Sequence, residues 1–196
     1  MKKIIALLSV ICFISCQDKE VITTLSGKIS NAEAKTIKLE GLNFSKEINL
    51  NEDGTFSDTL QLDYNGLYSL VLSDEKQRFI YLENGFQLNV ENNTKEFENS
   101  FVFSGTGSNE NNFMLKKHQV IESIYGKMDS WESVKPLFTL NEKAFIEKNE
   151  LYKKEILKAL DDAKLTNQNF VKLEKLDADY HVLRMYAQYP SNHGYL

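Results

Sequence analysis

The sequence predicts an α+β fold, an N-terminal antiparallel β-sandwich of about eight strands followed by a C-terminal helical segment of about three helices. Three observations carry that prediction. Residues 21–105 read as short β-rich segments separated by turn residues at near-regular spacing, the pattern of a sandwich or barrel. From Ser108 onward the apolar residues recur three, four and seven apart, as on one face of a helix. The 196 residues are 42% hydrophobic and 26% charged, an ordinary globular balance that excludes a disordered chain, collagen-like repeats and a polytopic membrane protein.

The first residues are an address rather than part of the fold. Lys2 and Lys3 precede an apolar stretch from Ile4 to Ile14 broken only by Ser9, too short for the roughly 20 residues that span a bilayer and right for a signal peptide over residues 1–15. The stretch ends Phe13-Ile14-Ser15-Cys16, which resembles a bacterial lipobox, with Phe13 where the pattern usually has Leu. The resemblance implies cleavage before Cys16, lipidation of its thiol and acylation of the new amine. Two or more acyl chains anchor a protein stably, each buried CH₂ contributing about 0.8 kcal/mol. The alternative is the ordinary signal peptidase, which would leave Cys16 unmodified. Gln17-Asp18-Lys19-Glu20 is a polar tether over residues 16–20 that resembles the acidic export signals of surface lipoproteins in Bacteroidetes; a plain solvated linker is the other reading. Either way the expected location is the cell envelope, as an outer-membrane lipoprotein facing the periplasm or the cell surface.

Strands are predicted at 23–30, 35–40, 44–50, 55–62, 66–72, 79–83, 86–91 and 100–104, making a β-sandwich domain over 21–105. Alternation is clear at Ile48 and Leu50 and at Phe56, Leu60 and Leu62, whereas Leu67 to Leu72 is more continuously apolar and reads as a central strand. Asn51-Glu52-Asp53-Gly54 carries Asp-Gly, a hairpin signal, because both types tolerate positive φ. Asn65-Gly66 and Asn84-Gly85 mark further turns. Gly105-Thr106-Gly107-Ser108 reads as a flexible joint, with Ser108 a possible N-cap.

Helical grammar then fills 108–196. Phe113, Val120, Ile124 and Met114, Ile121, Tyr125, Met128 stripe a first helix, with Glu110 in its first turn. Trp131 to Phe138, containing Pro136, reads as an interruption. Thr139-Leu140-Asn141-Glu142 is a capping-box candidate for a second helix striped by Phe145, Tyr152, Ile156 and Leu160. Thr166 or Asn167 opens a third, with Phe170, Leu173, Leu176, Tyr180 and Leu183 along one side, expected to end before Pro190. Tyr180, Tyr186, Tyr189 and Tyr195 crowd its end, and so much aromatic surface implies docking against the sandwich, another subunit or a continuation of the chain.

Chemistry-bearing motifs are sparse. The chain has 28 acidic against 23 basic residues, and cleavage would remove Lys2 and Lys3, so nucleic acid is an unexpected partner. With Cys12 in the signal peptide and Cys16 at the lipid site, no Cys-x-x-Cys or cysteine zinc cluster can form further on. His118, His181 and His193 have no metal-ligand spacing and read as surface or loop residues. Gly105 to Ser108 lacks the Lys-Ser/Thr of a phosphate cradle, and no Gly-x-Ser-x-Gly elbow occurs. Glu52-Asp53 and Asp161-Asp162 sit where solvated acids usually do. Asn43-Phe44-Ser45 and Asn92-Asn93-Thr94 match a eukaryotic sequon that carries little meaning here, and Asp58-Thr59-Leu60 resembles the three-residue O-glycosylation site of exported Bacteroidetes proteins. No cofactor or metal is expected.

Leu25-Ser26-Gly27-Lys28-Ile29, Asp53-Gly54-Thr55-Phe56, Gly66-Leu67-Tyr68 and Phe79-Ile80-Tyr81-Leu82-Glu83-Asn84-Gly85, behind a lipobox, resemble the N-terminal region that precedes the thioredoxin-like domain in TlpA-like thiol:disulfide interchange lipoproteins of Bacteroidetes. The similarity continues through Phe103 to Phe113 and to Tyr186-Ala187-Gln188-Tyr189-Pro190. In that family a Cys-x-x-Cys in the thioredoxin-like domain carries the redox step, its thiol pKa lowered at a helix N-terminus. No position here matches that motif, so no catalytic residue is carried over and this chain is expected not to be an enzyme. The resemblance implies a lipid-anchored accessory region serving cell redox homeostasis, either the N-terminal part of such a protein or a stand-alone relative, with a thioredoxin-like domain or other protein as partner. The second expectation is a self-contained lipoprotein that recognises a peptide or glycan through Tyr64, Tyr68 or Tyr81, unless those rings pack in the core. A hydrolase with dispersed carboxylates is a third.

Overall fold

The structure is a computed structural model and describes residues 22–194. The signal peptide, Cys16, the tether and Tyr195 lie outside the described residues. Eight strands form two four-stranded sheets, followed by four helices. The strands are β1 (Thr23–Ser30), β2 (Thr36–Glu40), β3 (Ser45–Asn49), β4 (Thr55–Leu60), β5 (Gly66–Ser73), β6 (Lys76–Leu82), β7 (Gln87–Asn93) and β8 (Val102–Gly105). Sheet order is β4-β1-β7-β8 in one layer and β3-β2-β5-β6 in the other. Inward-facing Leu25, Leu39, Tyr68, Leu70, Leu88 and Val90 are fully buried between them, because side chains on a strand alternate and each sheet turns one face inward.

Pairing is antiparallel with one exception. β1 runs parallel to β7, Leu25 opposite Leu88, a geometry that needs a long crossover, supplied here by the chain passing through the second sheet. The Asp53-Gly54 turn forms, with Gly54 at φ 80 and the Asn51 N–H donating to the Thr55 carbonyl at 2.8 Å. It is not a hairpin, since β3 pairs with β2 and β4 with β1. The turn arches from one sheet to the other, and Lys46 closes that edge by donating to Asp58 Oδ1 and the Thr59 carbonyl, both at 2.8 Å.

The helices are α1 (Ser108–Tyr125), α2 (Trp131–Phe138), α3 (Glu142–Asp162) and α4 (Gln168–Gly194). Four expectations are corrected. The stretch around Pro136 is itself the helix α2, because Ser130 and Ser133 form a reciprocal capping box and a helix this short loses a single hydrogen bond to the proline. The cap of α3 is Asn141, whose side chain accepts from the Ala144 N–H at 2.9 Å, while Thr139 donates to the Pro136 carbonyl. The cap of α1 is Gly107, φ 92, and Ser108 is the first helical residue; the joint is a tight turn in which Thr106 bonds Gln87 through both its amide and its hydroxyl. Finally, α4 runs on through Pro190. Its aromatic end is held against α2 and α3, with the Tyr189 ring 4.3 Å from Phe145, the Tyr189 hydroxyl donating to the Leu140 carbonyl at 2.6 Å and Tyr186 donating to Glu150 at 2.8 Å. Those contacts offset the donor that the proline lacks.

Candidate functional site

The site is built where the helices meet the outer face of the second sheet. Asn111 on α1 is fully buried and replaces a neighbouring strand for β6: its Oδ1 accepts from the Tyr81 N–H at 2.9 Å and its Nδ2 donates to the Tyr81 carbonyl at 2.9 Å and to the Gly107 carbonyl at 2.8 Å. A buried strand edge needs such partners. Tyr81 points away from the sandwich core into a cluster with Phe113, Leu160, Leu165 and Phe170, its ring 4.6 Å from Phe170 in an edge-on contact. Leu67, directly opposite Tyr81 on β5, stays 44% exposed, and Phe79 beside it 60%. The helical layer therefore roofs only part of this face.

The uncovered part is a cleft of about 510 Å³ between Leu42, Tyr64 and Leu67 on the sandwich and Leu173 on α4, a volume in the range of small-ligand sites. One wall is charged. Lys117 Nζ donates to Glu174 Oε2 at 2.6 Å and to Asp177 Oδ2 at 2.7 Å, with Lys117 and Glu174 buried and Asp177 half exposed at the lip. Burial alone pushes the ammonium's pKa down, but the two carboxylates together outweigh it and hold Lys117 above its ordinary value. Burial raises Glu174 in spite of the lysine. An ammonium held charged in this way is a poor nucleophile. The arrangement is suited to binding, an apolar floor with a cation and an exposed carboxylate along one side.

Of the three tyrosines that would serve recognition only if they did not pack in the core, two do pack. Tyr68 and Tyr81 are buried, Tyr68 stacked 4.7 Å from Tyr64 and donating to the Tyr64 carbonyl at 2.7 Å. Burial, with the Glu83 carboxylate that accepts its hydroxyl, holds Tyr81 well above the ordinary phenol range. Tyr64 and Tyr81 both line the cleft, and the half-buried Tyr64 donates its hydroxyl to the Leu67 carbonyl. The histidines separate: His118 is on the surface near Glu122, the His193 ring lies 2.7 Å from the Phe138 carbonyl, and His181, against expectation, is buried between Tyr125 and Tyr152. Asp53 accepts from the Thr55 amide and hydroxyl, and Asp162 pairs with Lys158 on the surface. Asn92 is buried and donates to Ser100, whereas Thr59 is exposed on β4. Cys16, the expected lipid site, lies outside the described residues.

The Lys117, Glu174 and Asp177 group was not foreseen from the sequence. A signal existed: Lys117 lies four residues after Phe113, and Glu174 four after Phe170, so each charge sits on the buried stripe of its helix and calls for a partner of opposite sign. Among the described residues no helix is long and apolar enough to cross a membrane. Compared with known proteins, the chain matches no family model, no curated protein and no solved structure.

Proposed function

We propose that this chain is a lipid-anchored, extracytoplasmic accessory module of a thioredoxin-family thiol:disulfide oxidoreductase, itself non-catalytic, that carries the redox partner away from the membrane and presents it to substrates. The observation that supports this reading is the joint. Sandwich and helices are keyed together by Asn111 and Tyr81 and by a two-residue turn, as a spacer requires, and the signal peptide with its lipobox-like end supplies the anchor. The test is insulin reduction by the purified chain. No turnover above background is expected, and reduction above background that is lost when Cys12 and Cys16 are replaced by serine would refute the reading. Mass spectrometry of the mature N-terminus checks the anchor separately, where an unmodified peptide containing Cys16 counts against it.

The cleft favours a second reading, a stand-alone envelope lipoprotein that binds a peptide or glycan. Leu42, Leu67 and Leu173 would take an apolar side chain, and Asp177 a neighbouring amine or hydroxyl. A screen of short peptides and oligosaccharides by thermal shift tests it. A ligand of the cleft raises the melting temperature of the chain and not that of Leu67→Asp.

A further inference from the structure

Helix α4 has two apolar faces. One is buried through Phe170, Ala178, Val182 and Met185. The other, Leu173, Leu176, Tyr180 and Leu183, remains 46 to 61% exposed along its whole length. At about 100° per residue the two faces are centred roughly 165° apart, so Leu176, Tyr180 and Leu183 point away from the body of the protein, while Leu173 lies where the stripe meets the lip of the cleft. Its alternating spacing of three and four residues is that of a two-helix seam, and a stripe of this size on a soluble face marks an interaction site.

We propose that this face is a homodimer interface in which α4 packs against α4 of a second copy. The flanking charges select that occupant, because they complement themselves. Lys172, Asp177, Asp179 and Arg184 are all exposed beside the seam. With helices antiparallel and Leu173 set against the partner's Leu183, the two-fold axis sets Asp177 beside the partner's Asp177 and Asp179 beside the partner's Asp179, a like-charge contact that disfavours this direction. With helices parallel and in register, Lys172 meets the partner's Asp177 and Asp179 meets the partner's Arg184. In the parallel direction both flanking pairs are opposite in sign, and two-fold symmetry makes each pair twice. Asp177 and Asp179 already touch Lys117 and Lys153 yet stay more than half exposed, so each keeps acceptor capacity for a partner. The inference does not rest on the accessory reading and survives its failure.

Sedimentation of the full chain in density-matched detergent tests the proposal. A reversible dimer is expected. Leu176→Asp should abolish it, and the pair Lys172→Glu with Arg184→Glu, which makes all flanking contacts repulsive, should weaken it by roughly tenfold or more. Leu151→Asp, at an equally exposed leucine on α3, should leave it unchanged. Single cysteines at 176 and 180, read against the parental chain, add a contact map: the parallel seam crosslinks each variant with itself, and crosslinking only in the mixture of the two would overturn it. A monomer throughout, or a dimer indifferent to both Leu176→Asp and the charge reversal, would overturn it, the latter assigning dimerisation to another surface and the former leaving the stripe to a different protein.

Discussion

His181 and Asn111 are both buried polar side chains, and they differ in how completely they are satisfied. The Arg184 guanidinium donates to His181 Nδ1 at 3.1 Å, so the neutral ring carries its proton on Nε2, which is buried without a partner. Burial, helped by Arg184, pulls the pKa down to about 4 from 6.5. A base with a depressed folded-state pKa binds fewer protons than the unfolded chain, so its contribution is intact above about pH 6.5 and lost as the pH falls towards 4. Screening reduces the full effect to about 2 kcal/mol. Urea unfolding at pH 7 and pH 4.5 should show that loss, and His181→Leu should show less of it. Asn111 is the opposite case, since all three of its hydrogen bonds are made to backbone groups. Asn111→Ala strands the amide and carbonyl of Tyr81, at about 1–3 kcal/mol for each group. A drop of about 2–4 kcal/mol is expected from the urea midpoint at constant slope.

Gly27 decides whether β1 can occupy the middle of its sheet. β1 lies between β4 and β7, and a Cβ at Gly27 would stand 1.8 Å from the Val90 carbonyl oxygen, a distance no local shift accommodates. Gly27→Ala should cost more than about 3 kcal/mol, read as loss of the folded fraction in urea, whereas Ser26→Ala, in the same strand but half-buried, should be close to neutral. Element types were legible in the sequence where a single local rule governs them. β1 is legible at its observed bounds because β-rich residues and flanking turn residues agree there, and α3 is legible as an element from its regular stripe, though not at its cap. The failures came where tertiary contacts override local rules. Pro190 should have ended α4, but Tyr189 and His193 dock against the preceding helices. Leu173, Leu176, Tyr180 and Leu183 read as one stripe with Phe170, yet of the five only Phe170 is buried; periodicity detects an apolar face without saying which of two such faces the rest of the chain covers.

At the scale of the whole molecule the question is whether sandwich and helices fold separately or together. The sandwich has its own core, and two helical clusters involve no strand residue. Each half therefore contains enough apolar packing to retain structure alone for some way. What couples them is a set of specific contacts, Asn111 on the β6 edge, Tyr81 packed against Phe113 and Phe170, Leu115 against the sandwich core and Asn167 donating to Glu83. The cleft lies immediately beside this contact, with Phe170 and Tyr81 in its lining, so its shape depends on the coupling. None of this was legible in the sequence, because convergence of β6, α1 and α4 is a property of topology and no motif announces it. Phe170→Ala removes the ring that touches both Tyr81 and Phe113 and should cost about 3–5 kcal/mol of coupling. In the native chain, circular dichroism of the helices and hydrogen exchange of the β1 and β7 amides should report one coincident unfolding transition. In Phe170→Ala the two probes should separate, the helical signal melting first because its clusters are smaller. A single transition in the variant, merely shifted to lower denaturant, would mean that the contacts remaining without the Phe170 ring suffice to hold the halves together.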